Sequence, residues 1–315
     1  MTAPTTTFAE ATSVKQLSSH EYAANFPEDW CIGAVPHGGF VTACFLQVAR
    51  THFNTTLASQ NQPHPITLHL DFLRRTQAGN ALFTVKDAKV GARTSIIHVT
   101  LTQDSREEVV GYITHSNTHT EEGVTFSTGW ELEPAPPLVD LKALSEGTDK
   151  HWTPGGKLPF AEFRKAANKT LFHFPRDGNK EARFADEWVR FANGEKWTNA
   201  SVGFVADMWP MPVERLLGSG DPYDVNASEK IKLRPPRLWY PTLVLNIDFK
   251  KPLPDEGVEF LFARACVRQI KNGRMDLDIV IKDGEGDIVA LSNHVALAID
   301  ASRNTAERGS SKSKI

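Results

Sequence analysis

Apolar and polar positions along this chain change period in a fixed order, and the order runs twice. In the first half, short alternating stretches at 13–26 lead into a largely apolar run at 39–53, with Val41, Phe45, Val48 and Ala49 on one stripe. In the second half, alternating stretches at 170–174 and 187–191 lead into an apolar run at 199–208. Apolar recurrence at three and four residues predicts one helix per half. Both are apolar round most of their circumference, so both are expected to be buried.

After each helix the period falls to two. The clearest echo is Leu70-Asp71-Phe72 with Ile247-Asp248-Phe249, where apolar residues bracket a carboxylate as strand alternation requires. Further strands are predicted at 81–88, 94–102 and 109–116, and again at 259–269, 275–282 and 288–299. Polar turns at 103–107 and 283–287 precede the last strand region of each half, and His115 falls opposite His294. One buried helix and an antiparallel meander, repeated, predict an α+β chain of two similar domains. The expected divisions are a disordered N-terminus (1–12), a first domain (13–117), a connection (118–167), a second domain (168–300) and a disordered polar tail (301–315). The connection carries Pro134, Pro136, Pro137, Pro154, Pro159 and Gly155-Gly156, with a short helix expected at 138–145.

Composition narrows the function more by exclusion. A length of 315 residues suits two domains, and a net charge of -3 argues against nucleic acid or an acidic membrane surface as partner. No apolar run reaches the length of a membrane span, so none is expected. Cys31, Cys44 and Cys266 form no CxxC pair, so neither a zinc site nor a disulfide framework is expected. The N-terminus lacks the basic and apolar regions of a secretory signal. The chain ends Ser313-Lys314-Ile315, which resembles the peroxisomal Ser-Lys-Leu address, so a cytoplasmic or peroxisomal location is expected. No GxSxG elbow is present, Gly218-Ser219-Gly220 being too short, and no GxGxxG or GxxxxGK[ST] loop supports a nucleotide enzyme.

Three segments carry candidate chemistry. Trp30 to Phe40 ends in His37-Gly38-Gly39-Phe40 at the start of the first helix. Glycines there let backbone N–H groups approach a ligand, and the helix N-terminus favours developing negative charge. The second segment, Ser201 to Pro210, places Asp207 within an apolar helix, where an unpaired carboxylate is expensive. The third runs from Thr242 through Phe249, Lys250 and Lys251 to Pro252.

These segments resemble the thioesterase-like superfamily and, more narrowly, the double hot-dog acyl-CoA thioesterase II family, over residues 13–299. The resemblance implies a tandem hot-dog fold: two antiparallel sheets, each wrapped round one helix and joined as an intramolecular pseudo-dimer. It implies hydrolysis of an acyl thioester by water held on Asp207, Thr242 and a polar group of the last strand. That group is Gln in the bacterial type, and His294 stands in its place here, which adds a group titrating near neutrality. His37, Gly38, Gly39 and Phe40 would meet the substrate, with an oxyanion hole near Gly38-Gly39. No cofactor or metal is implied. The partner would be an acyl-CoA or acyl-carrier thioester, and a homo-oligomer of double units is compatible with the family.

The first helix has His-Gly-Gly but, two turns on, Leu46 and Gln47; the second has Asp207 but starts Thr198-Asn199-Ala200. One composite site is therefore expected, with its glycines from the first domain and its acid from the second. Arg93 and Lys250-Lys251 are candidates for coenzyme A phosphates. Three alternatives remain: a hot-dog hydratase or dehydratase using Asp207 and His294, a biosynthetic thioesterase releasing a polyketide or acyl chain from a carrier protein, and a non-catalytic acyl-binding protein.

Overall fold

The computed structural model describes residues 6–155, 158, 160–179, 181–209, 211–217, 223–224 and 238–306. Ser313-Lys314-Ile315 lies outside them. Among the described residues the helices are α1 (Phe8–Ala11), α2 (Gly38–Asn54), α3 (Leu141–Ser145), α4 (Val202–Val205), α5 (Met211–Arg215) and α6 (Ser302–Thr305). No helix of these is long and apolar enough to cross a membrane.

Most of the strands form one antiparallel sheet whose order mirrors itself about its middle, beside two small two-stranded ribbons. From the first half come Glu21–Phe26, Gly79–Lys89, Ser95–Gln103, Arg106–Ser116 and then His64–Phe72. From the second come Thr242–Phe249, Ile288–Leu297, Arg274–Lys282, Leu261–Cys266 and Phe184–Phe191. His64–Phe72 and Thr242–Phe249 pair at the seam, with Leu70 opposite Leu245 and His69 opposite Asn246. The two strands that echo one another in sequence thus lie side by side, and His69 Nδ1 is 2.7 Å from Asn246 Oδ1 across the junction.

Each half curls round its helix. α2 buries Val41, Phe45, Val48 and Ala49 as the stripe predicted, and also Phe40, Ala43, Cys44 and Leu46, so nearly its whole circumference is core. The second helix is shorter than expected. Only Val202–Val205 is regular helix, Ala206 and Asp207 are in a turn, and a separate α5 follows. Pro210 supplies a reason: it has no N–H to donate and disfavours helical geometry at the residue before it. α2 and α4 touch closely. A Cβ on Gly203 would come within 3.0 Å of Leu46 and Thr42 side chains.

The expected ends of the domains need correction. Residues 6–12 are ordered, not disordered. α1 carries a capping box of Thr7 and Glu10, and Phe8 packs against Trp30, Phe191 and Phe204. Its first N–H groups, on Phe8 and Ala9, donate to the Glu195 carboxylate at 2.8 and 3.0 Å. The segment at 301–306 is also ordered. The buried Asn304 amide accepts from Ala34 N–H at 2.9 Å and donates to the Ile32 carbonyl at 2.8 Å. The connection holds α3 within the expected 138–145, and Trp152–Pro154 joins the sheet beside Thr170–Pro175. Trp152 packs with Leu132, Leu144, Trp188, Phe260 and Phe262 as a second apolar layer, so the second half reaches back before residue 168.

Candidate active site

The N-terminus of α2 faces the turn after α4. His37 caps α2, its ring Nδ1 accepting from Gly39 N–H at 3.0 Å. The next two positions must be small. A Cβ on Gly38 would stand 2.5 Å from Asp207 Oδ2, and one on Gly39 would stand 2.8 Å from the Phe204 carbonyl oxygen and 2.9 Å from Asp207 Cβ. The glycines therefore do more than turn the chain: they admit a carboxylate of the other half to the positive end of a 17-residue helix.

Asp207 is nearly buried, with 9% of its side chain exposed. Its Oδ1 accepts from Thr242 Oγ1 at 2.9 Å and lies 3.4 Å from His294 Nδ1, longer than a formed hydrogen bond. Its Oδ2 is 3.8 Å from His37 Nδ1. Burial raises the Asp207 pKa to about 7, and the Thr242 hydroxyl and Gly39 N–H oppose that rise without cancelling it. Burial also pushes His294 down to about 4 and His37 down to about 3, so both rings are neutral where Asp207 titrates. The second nitrogen of His294, Nε2, is 3.0 Å from Ser292 Oγ.

Strand geometry explains how Thr242 reaches the carboxylate. Leu245 and Ile247 of its strand point into the core, so strict alternation would turn Leu243 inward and Thr242 outward. A bulge intervenes: Thr242 pairs with Ala296 and Val244 with Val295, leaving Leu243 as the extra residue. The phase flips there, Leu243 is exposed, and Thr242 faces Asp207. Counting back from the matched Asp71 and Asp248, Pro65 occupies the place of Thr242 in the first half, also at a bulge. His115, opposite His294 in the sequence repeat, is stacked on Phe53 and bonded to the Gln62 carbonyl instead.

A cavity of about 270 Å³ opens against this cluster, and His37, Gly38, Asp207, Thr242 and His294 all line it. Of the residues expected to meet substrate, Gly39 and Phe40 do not line it. Gly39 is spent as a spacer between the helices, and the Phe40 ring stacks on Trp30 at 5.5 Å, fully buried. The basic residues expected to meet phosphates are elsewhere too. Lys250 pairs with Asp248, Lys251 is held by Asp283, Glu285 and Asp287, and Arg93 is not in the cavity wall. In their place Arg74 and Arg75 line the cavity, directly after the matched strand. Arg75 also donates to the carbonyls of Arg303, Asn304 and Ala306, tying the C-terminal segment to this wall.

The rest of the wall is apolar and aromatic, including Phe72, Phe163, Phe172, Trp209 and Trp239, with one charged exception. Arg164, buried, pairs with Glu214 and Tyr223, and Tyr240 donates to Glu214 at 3.3 Å. Sequence reasoning missed this network because its members come from the connection, α5 and two further segments. Nothing local in the sequence set Arg164, beside Glu162 and Lys165, or Glu214, beside Arg215, apart from solvated charges.

Two helix-wrapping half-sheets joined at a mirrored seam, with a composite polar site at the helix termini, define a tandem hot-dog protein. Solved structures share that fold over nearly the whole chain. A putative thioesterase II from Thermobifida fusca matches with a TM-score of 0.70 at 17% identity, over 94% of this chain and 99% of its own. The acyl-CoA thioesterase II TesB2 of Mycobacterium marinum matches with a TM-score of 0.65 at 15% identity, over 94% of this chain and 100% of its own. The family models for the acyl-CoA thioesterase N-terminal and C-terminal domains match residues 26–116 and 139–298. The thioesterase-like protein TwmA of Talaromyces wortmannii is 36% identical over 98% of this chain and 97% of its own length. The chain belongs to the acyl-CoA thioesterase family.

Proposed function

We propose that this chain hydrolyses acyl thioesters at the composite site, with acyl-CoA as the substrate class and Asp207 as general base. The observation that carries the reading is a nearly buried carboxylate on the cavity wall, bonded to Thr242 and facing the N-terminus of a helix from the other half. A base with a pKa of about 7 combines a substantial basic fraction with useful proton affinity at neutral pH. Asp207 and Thr242 would hold the attacking water, and His294, neutral, would orient it through the nitrogen nearest the carboxylate. As the water attacks the thioester carbonyl, its proton passes to Asp207. The C–S bond then breaks, and the departing thiolate takes that proton from Asp207, restoring the base. Gly39 N–H is engaged by His37, so the oxyanion donors nearest the cavity are Gly38 N–H and the Nε2–H of His37. His37 Nδ1 accepts a proton bond, which assigns its own proton to Nε2.

The test is thiol release from acyl-CoA esters of graded chain length by the purified chain. Release that Asp207→Asn abolishes supports the reading; release unchanged by that substitution overturns it. A second reading draws on the same Asp207 and His294 pair: hydration or dehydration of an enoyl or hydroxyacyl thioester. Loss of enoyl-CoA absorbance without free thiol would select it. Transfer of the acyl group from a phosphopantetheinyl carrier in place of coenzyme A is measured by the same thiol assay with the loaded carrier.

A further inference from the structure

Three side chains from separate elements converge at the other end of α2, about 22 Å from its cap at ~1.5 Å per residue. His52 lies in the last turn of α2, Asp87 on Gly79–Lys89, and His20 in the bend before Glu21–Phe26. His52 Nε2 is 2.8 Å from Asp87 Oδ1, and His20 Nε2 is 3.2 Å from Asp87 Oδ2. One ligand-type atom from each lies within 4.8 Å of the other two. In both rings the remaining nitrogen is held by oxygen: Ser19 Oγ is 2.8 Å from His20 Nδ1, and Tyr22 OH is 2.9 Å from His52 Nδ1. Outer partners of this kind fix the rings of metal-binding histidines.

The protons sharpen the case. Tyr22 has one hydroxyl proton, and the Ser19 carbonyl oxygen stands 3.2 Å away to accept it. Where that proton goes to Ser19, His52 donates from Nδ1 to the Tyr22 oxygen. A neutral ring then turns its Nε2 lone pair onto the Asp87 carboxylate. The His52 side chain is fully buried. A cation between nitrogen and carboxylate removes the conflict. Asp87 and His20 are partly exposed, at 26% and 39% of their side chains, which gives an ion a way in.

We propose that His20, His52 and Asp87 form a binding site for zinc or a similar first-row divalent ion, with its remaining position open to solvent. Two imidazoles and a carboxylate are a donor set for such ions. The ion would staple the C-terminal end of α2 to the sheet and to the bend before Glu21–Phe26. The competing arrangement has Tyr22 donating to His52 and both Nε2–H groups donating to Asp87, and it needs no ion. The other acidic group, Asp283, Glu285 and Asp287, already encloses the Lys251 ammonium and makes a control.

The test uses full-length protein stripped with a chelator and titrated with Zn²⁺, and separately with Co²⁺. The expected result is one saturating equivalent, a rise in unfolding temperature, and cobalt absorption bands of a low-coordinate nitrogen–oxygen site. His20→Ala, at a partly exposed position, and Asp87→Asn should each abolish all three, while Glu285→Gln leaves them unchanged. No saturable binding, or binding that survives both His20→Ala and Asp87→Asn, overturns the proposal. Thioester hydrolysis enters none of these readouts, so the result stands apart from the reading of the catalytic site.

Discussion

Asp207 illustrates a single residue under opposed forces. The helix N-terminus and the Thr242 hydroxyl favour its charge, burial disfavours it, and burial wins, holding the pKa at about 7. The pH profile of kcat/KM should therefore rise through about pH 7 and level off above it, and a flat profile from pH 5 to 8 would contradict the assignment. Stability should run the other way. The folded carboxyl keeps its proton above the unfolded value of 3.8, so its favourable contribution is full below that pH and lost as pH climbs through about 7. Asp207→Asn should lower kcat by ~10²–10⁴-fold, the usual loss for a general base. In thermal melts above pH 7 it should raise Tm by several degrees, at ~2–4 °C per kcal/mol. His294 offers a second check. Its neutral state at working pH means that a neutral hydrogen-bonding side chain can replace it. His294→Gln should keep activity within about tenfold, whereas His294→Ala should lose ~10²-fold or more in steady-state assays.

At the scale of elements, two devices bring the halves together: glycines at one helix start and a bulge in one strand. Gly39→Ala would drive a Cβ into the Gly203 and Phe204 carbonyls, both under 3.0 Å away, and should destabilise by ~1–3 kcal/mol in denaturant unfolding. Deleting Leu243, the extra residue, should restore strict alternation with Thr242 still turned towards Asp207, so hydrolysis should persist; its loss with the circular dichroism of the sheet intact would contradict this reading of the bulge. The helix of the first half was legible because its apolar run at 39–53 spans about four turns. The second was over-extended, since its apolar run continues past the regular turns up to Pro210. The bulge was not legible at all, because one inserted residue leaves the composition of a strand unchanged. His37-Gly38-Gly39 could be read as a helix start, but nothing local told that Gly39 would serve packing and Gly38 the cavity.

Over the whole molecule, the repeat was readable because both halves bury a helix under a meander. Asp71 and Asp248 marked the two strands that turned out to meet. The cavity wall was not readable, because Arg74, Arg164, Trp209 and Tyr240 come from distant parts of the chain. Nor was the order at the chain's ends, where Phe8 and Asn304 find partners far away in sequence. The seam joins the halves through main-chain hydrogen bonds, so each half alone presents a bare strand edge. A fragment ending at residue 135 should self-associate or precipitate in size-exclusion runs rather than behave as a monomer.

The docking of α1 also bears on synthesis. Phe8 leaves the ribosome nearly two hundred residues ahead of the aromatic rings and the carboxylate that hold it, Phe191, Phe204 and Glu195. Until then its apolar face waits without a berth, a natural point of call for a chaperone. The segment around Phe8 is thus placed late, docking only after Phe204 has emerged.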